Sequence, residues 1–183
     1  MTNLFRTFLA CVTVVVGLIG LQPAYAAEPS GLDQDARAAL KSLYSGSPGA
    51  KALADKAKGI LVFPNVHKAG FVVGAQTGDG VLLVNGMSSA YYNTSAVSIG
   101  LQAGAQSFGY VLFFMSDKVL TDFRNSKNFQ IGMGPNIVFI DAGAAKDINN
   151  LTSKADVYAV IFSQKGLMAG VGLQGSKITK LGQ

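Results

Sequence analysis

His67 is the only histidine in this 183-residue sequence, so a serine–histidine–aspartate triad has one possible centre. Its surroundings do not complete one. No Gly-x-Ser-x-Gly occurs. Gly104-Ala-Gln-Ser107-Phe-Gly109 comes closest, is misspaced, and runs on into the strand-like "YVLFF" rather than the helix that a nucleophile elbow needs. His67 reads as a loop residue beside Lys68, with a hydrolase as the minority alternative. Cys11 is the only cysteine and lies in a segment expected to be removed, so a zinc site would rest on one histidine and carboxylates. No metal or cofactor is expected. Gly170-x4-Gly175-Ser176-Lys177 mimics a phosphate loop but reverses the final pair, whereas the lysine must follow the glycine to reach the phosphates; a turn between strands fits better. The acids are scattered, with Asp33 and Asp35 at a helix start and Asp141, Asp147 and Asp156 beside loops, and their spacing selects no catalytic pair. No catalytic residue is assigned.

Binding chemistry is better represented. Lys51, Lys56 and Lys58 fall on a predicted helix with Leu53 and Ala54 between them, and Lys68 follows shortly after its end. A basic amphipathic patch of this kind settles on anionic headgroups, each lysine contributing about 1 kcal/mol near such a surface. Asp55 in its middle keeps a solvated helix face open as the alternative. A second pattern lies in "IGLQAGAQSFGYVLFF", where Gly100, Gln102, Gly104 and Gln106 alternate with apolar residues. The same texture recurs at Gln130, Gly132, Gly134 and Asn136, and at Met168, Gly170, Gly172 and Gln174. Such glycines permit bends, bulges and close backbone approach in a curved sheet. Equally, they would leave a bare backbone groove for an elongated ligand.

The elements that must position these residues follow from periodicity. Ser30 is placed to cap a helix over 31–44 with Leu32, Ala36, Ala39, Leu40 and Leu43 as its apolar stripe. Ser47-Pro48 starts a second helix in the favoured cap-then-proline order, and Gly59 is expected to end it. From Ile60 the texture becomes strands: "ILVF" stopping at Pro64, then "GFVVGAQ" and "GVLLVNG" about a hairpin at Asp79-Gly80. The opening stretch follows, then a short helix in "MSDKVLTDFRN" capped by Ser116, then "FQIGMGPNIVFID", "DVYAVIFS", "GLMAGVGLQ" and "KITKL" as strands. The sum is an α+β fold: two N-terminal helices packed on a curved, mainly antiparallel β-sheet of about eight strands, or a small barrel.

"AKGILVFPNVHKAGFVVGAQTGDGVLL", "GLQAGAQSFGYVLFFMS", "GPNIVFIDAG" and "VYAVIFSQKGLMAGVGLQGSKIT", in this order, resemble the SYLF family over about 57–181. The resemblance implies a lipid-binding module without enzymatic activity. Eukaryotic members bind phosphoinositides and in some cases actin, and bacterial members are typically exported envelope proteins. The family usually carries a tryptophan ahead of the Gln-Gly strand; here "YYNTSA" stands in that place and the chain has no tryptophan, so Tyr91 and Tyr92 become the nearest candidates for an interfacial aromatic.

Met1 to Ala26 has Arg6, an apolar run from Phe8 to Leu21 and Ala24-Tyr25-Ala26, the marks of a secretory leader cleaved after Ala26. A lipobox ending at Cys11 is the rival reading, and would leave the most apolar segment on the mature chain. Residues 27–183 are expected to form one SYLF-like domain, helical over about 30–59 and sheet over about 60–181. The net charge of +5 favours anionic partners, while export and the absence of an Arg-rich run argue against nucleic acid. The expected function is non-catalytic binding of phospholipid or a related amphiphile in the periplasm or at the outer membrane. The alternative is a structural module docking on an envelope protein. Actin is not an expected partner after export.

Overall fold

The computed structural model describes residues 29–143, 155–166 and 175–182, with only the backbone course given for 29–30, 99–103 and 166. The leader, the segment 144–154 and the glycine-faced segment 167–174 lie outside the described residues. Helix α1 (Pro29–Gly46) and helix α2 (Pro48–Lys56) come first, followed by two very long strands, β1 (Gly59–Val84) and β2 (Met87–Phe114). Helix α3 (Asp117–Asn125) leads to the short strands β3 (Asn128–Gln130) and β4 (Ile137–Asp141), then β5 (Val157–Gly166) and β6 (Lys177–Lys180).

Local chemistry explains the helix boundaries. Ser47 caps α2 by accepting a hydrogen bond from the Ala50 amide at 3.3 Å, with Pro48 behind it, and Ser116 does the same for α3 through the Val119 amide at 3.4 Å. Ser30 is not a cap, because α1 already includes it. Gly59 does not close α2 either; the helix ends at Lys56, and Gly59 opens β1 opposite Phe114.

β1 and β2 pair antiparallel from Gly59↔Phe114 to Val84↔Met87 and make one long ribbon. Three expected strands are therefore one. Its turn is Asn85-Gly86, both at positive φ (51° and 76°) as a tight two-residue hairpin requires, and not Asp79-Gly80. Asp79 stays in the ladder opposite Asn93, whose Nδ2 donates to its carboxylate at 2.8 Å. Pro64 does not stop the strand, since pairing skips from Phe63↔Tyr110 to Val66↔Phe108 and leaves the proline in a bulge where no amide is needed.

The ribbon folds back on itself. Between Phe71↔Ala103 and Val73↔Ile99 the single residue Val72 stands opposite Gly100, Leu101 and Gln102. A Cβ on Gly70 would fall 2.3 Å from Gly74 Cα, so the chain reverses within a few residues at this elbow. The two halves then meet closely: a Cβ on Gly80 would lie 2.5 Å from Phe63 Cδ1 and 2.6 Å from the Val62 carbonyl oxygen.

The far edge of β2 carries the remaining strands. β6 pairs with Tyr92–Ser95 and β5 with Gln106–Phe114; β3 adds to β6, and β4 adds to β5 as a parallel pair. Among the described residues the result is a curled, mixed, six-stranded sheet of half-barrel shape, mainly antiparallel, with order β3-β6-β2-β5-β4 and β1 on β2. "FQIGMGPNIVFID" is two strands rather than one: Gly132 (φ 95°) and Gly134 (φ 137°) sit in the connection between β3 and β4, so their glycine face does not exist as a strand face.

Two cores flank the sheet. Leu61, Phe63, Leu82, Tyr110, Leu112 and Phe114 face the first, which α3 closes with Val119, Leu120 and Phe123. Val62, Val81, Leu83, Val111, Phe113 and Val160 face the second, under Ala36, Leu40, Leu43 and Leu53 of the two N-terminal helices. Burial on both faces is why "ILVF", "VLLV" and "YVLFF" run apolar without alternation. Within the first core Tyr110 donates to Thr94 Oγ1 at 2.7 Å, tying one half of the ribbon to the other.

Candidate functional site

Folding the ribbon brings its open end and its turn together beneath the helices. There α1, α2, the start of β1 and Asn85-Gly86 enclose a cleft of about 730 Å³. The second and third turns of α1 aim Leu40 inward and Arg37 and Lys41 outward, because the apolar stripe at spacings of three and four leaves the i, i+4 pair on the wet side. Arg37 Nη1 donates to the Gly86 carbonyl at 3.1 Å, which fixes the helix against the turn. Lys51 and Lys58 complete the basic lining.

Beneath these four cations the surface is apolar, formed by Leu40, Ala54, Ala57, Ile60 and Leu83 with the ring of Tyr44. No carboxylate lines the cleft among the described residues. Asp55 lies just outside it and is bound by Lys51 as an exposed i, i+4 pair. Lys41 and Lys58 have no carboxylate partner among the described residues. Burial, and then the charge of Asp55, push the Tyr44 phenol up to about 12, so it stays a neutral donor in the cleft. A cationic rim over an apolar floor matches a molecule with an anionic head and an apolar body, and the volume falls in the usual range for small-molecule sites.

The expected site residues divide. Lys51 and Lys58 line this cleft, whereas Lys56 is exposed on α2 outside the lining. Arg37 and Lys41 were not singled out from the sequence, although their spacing opposite the α1 stripe was a readable sign of a shared wet face. Lys68 lies at the far end of the ribbon, in a shallow dent with His67, Gln106 and Lys165. Gly104 is exposed there, at φ 137°, while Gln106 is buried with its Oε1 unpaired. Gly100 and Gln102 belong to the bulged stretch at the elbow, so the strict alternation expected over 99–106 breaks at that point; the Gln102 side chain lies outside the described residues.

Tyr91 is half-buried against the helical core, with Asp33 beside its hydroxyl; burial first, then Asp33, raises its pKa. Tyr92 cannot be an interfacial aromatic, because it is 2% exposed and its ring packs 4.9 Å from that of Phe123 in the first core. His67 is exposed opposite Ser107, and no carboxylate lines its dent among the described residues. Nor do the described residues group three or more potential metal ligands.

The fold and cleft thus define a small α+β binding module, a folded β-ribbon with a basic cleft under its N-terminal helices. Residues 95–182 match the family described as Ysc84, Las17-binding protein actin regulator. The chain is also similar to SH3 domain-containing YSC84-like protein 1 of Rattus norvegicus and of Mus musculus, each 31% identical over 127 residues, 66% of this chain and 37% of the relative. The Homo sapiens protein of the same name is 30% identical over 127 residues. Residues 95–182 thus match the family of the SYLF domain, and the YSC84-like relatives are consistent with it. The chain spans little more than a third of the length of these relatives, since 37% of the rat protein is covered.

Proposed function

We propose that this protein binds an anionic phospholipid or a related amphiphile without catalysis, with the headgroup held by Arg37, Lys41, Lys51 and Lys58. The observation that carries the reading is the cleft itself: four cations and, among the described residues, no lining carboxylate above an apolar floor. The headgroup charge meets the rim, and the first part of an acyl chain covers Leu40, Ile60 and Leu83. The Tyr44 phenol supplies a neutral hydrogen bond beside them.

The family is described by binding of Las17 and regulation of actin. For this chain the leader-like Met1–Ala26 favours another setting: export, cleavage after Ala26, and a place in the periplasm or at the outer membrane as one domain over 27–183. An actin partner does not suit that setting.

Titration with a short-chain phosphatidylglycerol below its micelle concentration, against the matching phosphatidylcholine, tests the reading. Preference for the anionic lipid, weakening as salt rises, is expected. Equal affinity for the two, or none for either, would refute it.

A further inference from the structure

At the far end of the ribbon from the cleft, the elbow exposes an apolar surface that the fold does not use. Phe71 is 79% exposed, Val73 56% and Val97 75%, with Val72 beside them at 45%. Along β1 the outward positions read Ala69, Phe71, Val73 and Ala75, and across the ladder Ala105 and Val97 stand opposite the first and last of these. Among the described residues the patch therefore runs along β1 and reaches β2 at Ala105 and Val97. His67 and Thr77, both exposed, bound it.

Two further observations concern the same place. Val72 holds φ at 65°, a conformation that a β-branched residue rarely takes, and it is exposed there. The charges are of one sign. Over 66–76, 95–107 and 163–166 the only charged side chains of fixed sign are Lys68 and Lys165, which line one dent beside the patch. Asp141, on the neighbouring strand, is engaged by the Gly143 amide at 2.8 Å and by Gln164 at 3.3 Å.

We infer that the elbow is a membrane-docking tip, in which Phe71, Val72 and Val73 enter the interfacial zone of an anionic bilayer while Lys68 and Lys165 meet its headgroups. An exposed apolar patch calls for a covering surface. A second copy of the chain is the poorer cover, since a self-complementary contact would bring two Lys68–Lys165 pairs together, whereas an anionic surface attracts them. The inference rests on the lipid reading above, but the two surfaces stand at opposite ends of the ribbon and fail separately.

Because the chain has no tryptophan, Phe71→Trp places a unique reporter on the elbow, and Met87→Trp, at a position 69% exposed by the hairpin turn, places one at the cleft end. Each is mixed with vesicles of phosphatidylcholine alone or with phosphatidylglycerol, with brominated acyl chains as quencher. The expected result is a blue shift and quenching of the Phe71→Trp reporter on the phosphatidylglycerol vesicles, with the Met87→Trp reporter unmoved. Phe71→Ser with Val73→Ser should weaken co-sedimentation on the order of tenfold or more at unchanged melting temperature. Vesicle binding with a silent elbow reporter, or with a response at Met87→Trp, overturns the tip and leaves the lipid reading standing. Absence of co-sedimentation with either composition also overturns it, while the cleft is judged by the short-chain titration. A blue shift that grows with protein concentration in the absence of vesicles would assign the patch to a second copy and refute the proposal.

Discussion

Gly80→Ala tests the folded ribbon where its two halves meet. The added Cβ would sit 2.5 Å from Phe63 Cδ1, 2.7 Å from Phe63 Cε1 and 2.6 Å from the Val62 carbonyl oxygen. Phe63 is fully buried and stacked at 4.7 Å on Tyr110, so its ring has no free space to enter, and the carbonyl belongs to the opposing backbone. Relief requires the two halves of the ribbon to separate. Overpacking of this kind costs about 1–3 kcal/mol, and the backbone contact puts this site near the upper end. At roughly 2–4 °C per kcal/mol for a chain of this size, the melting temperature should fall by about 6–12 °C. Circular dichroism melts of the two proteins at matched concentration measure it. A change within about 1 °C, set against that expected loss, would mean that residues 74–84 do not lie across 59–69, and the account of the fold would be wrong.

Gly104→Val should also melt lower, since φ there is 137° and a β-branched residue would bear strain of about 1–3 kcal/mol; unchanged melting with lost lipid uptake would instead favour a bare-backbone groove. Tyr110→Phe should cost about 1 kcal/mol, because Thr94 Oγ1 loses its buried donor, and denaturant titration would read it. Burial raises the Tyr110 phenol above its ordinary value of 10.0, so the native state holds that proton more tightly than the unfolded chain does. Its contribution is fully present below about pH 10 and is lost as pH rises beyond; wild-type stability should fall there, and Tyr110→Phe should flatten the fall. His67→Ala should leave lipid binding and melting unchanged, and a hydrolytic activity lost with it would revive the triad.

Local signals were legible in the sequence where one residue type settles the geometry. Ser47-Pro48, Ser116 and the α1 stripe positioned helices correctly, and the long apolar runs marked buried strands. The hairpin was misplaced because Asp79-Gly80 and Asn85-Gly86 carry the same local turn chemistry; contact between the ribbon halves, which no local window contains, decides between them. The glycine pattern had a structural reason at Gly104, whose φ of 137° few other residues adopt, yet the same pattern at Gly132 and Gly134 was a loop. Lys51 and Lys58 were readable as a basic patch. Arg37 and Lys41 joined them only through the docking of α1 on the Gly86 carbonyl, a contact 49 residues apart in sequence. Tyr92 was a candidate only as a stand-in for the tryptophan that the family carries ahead of the Gln-Gly strand, and the alternation of β2 turns it toward Phe123.

The cleft is tested most directly by mapping amide and side-chain NMR shifts of the labelled protein during titration with short-chain phosphatidylglycerol, alongside Lys41→Gln with Lys58→Gln. Perturbations should converge on Arg37, Lys41, Tyr44, Lys58 and Ile60. At about 1 kcal/mol per lysine, the double variant should bind roughly thirtyfold more weakly while melting as the wild type does. Shifts confined to the elbow or scattered over the surface, with affinity unchanged in the double variant, would contradict a lipid site in the cleft.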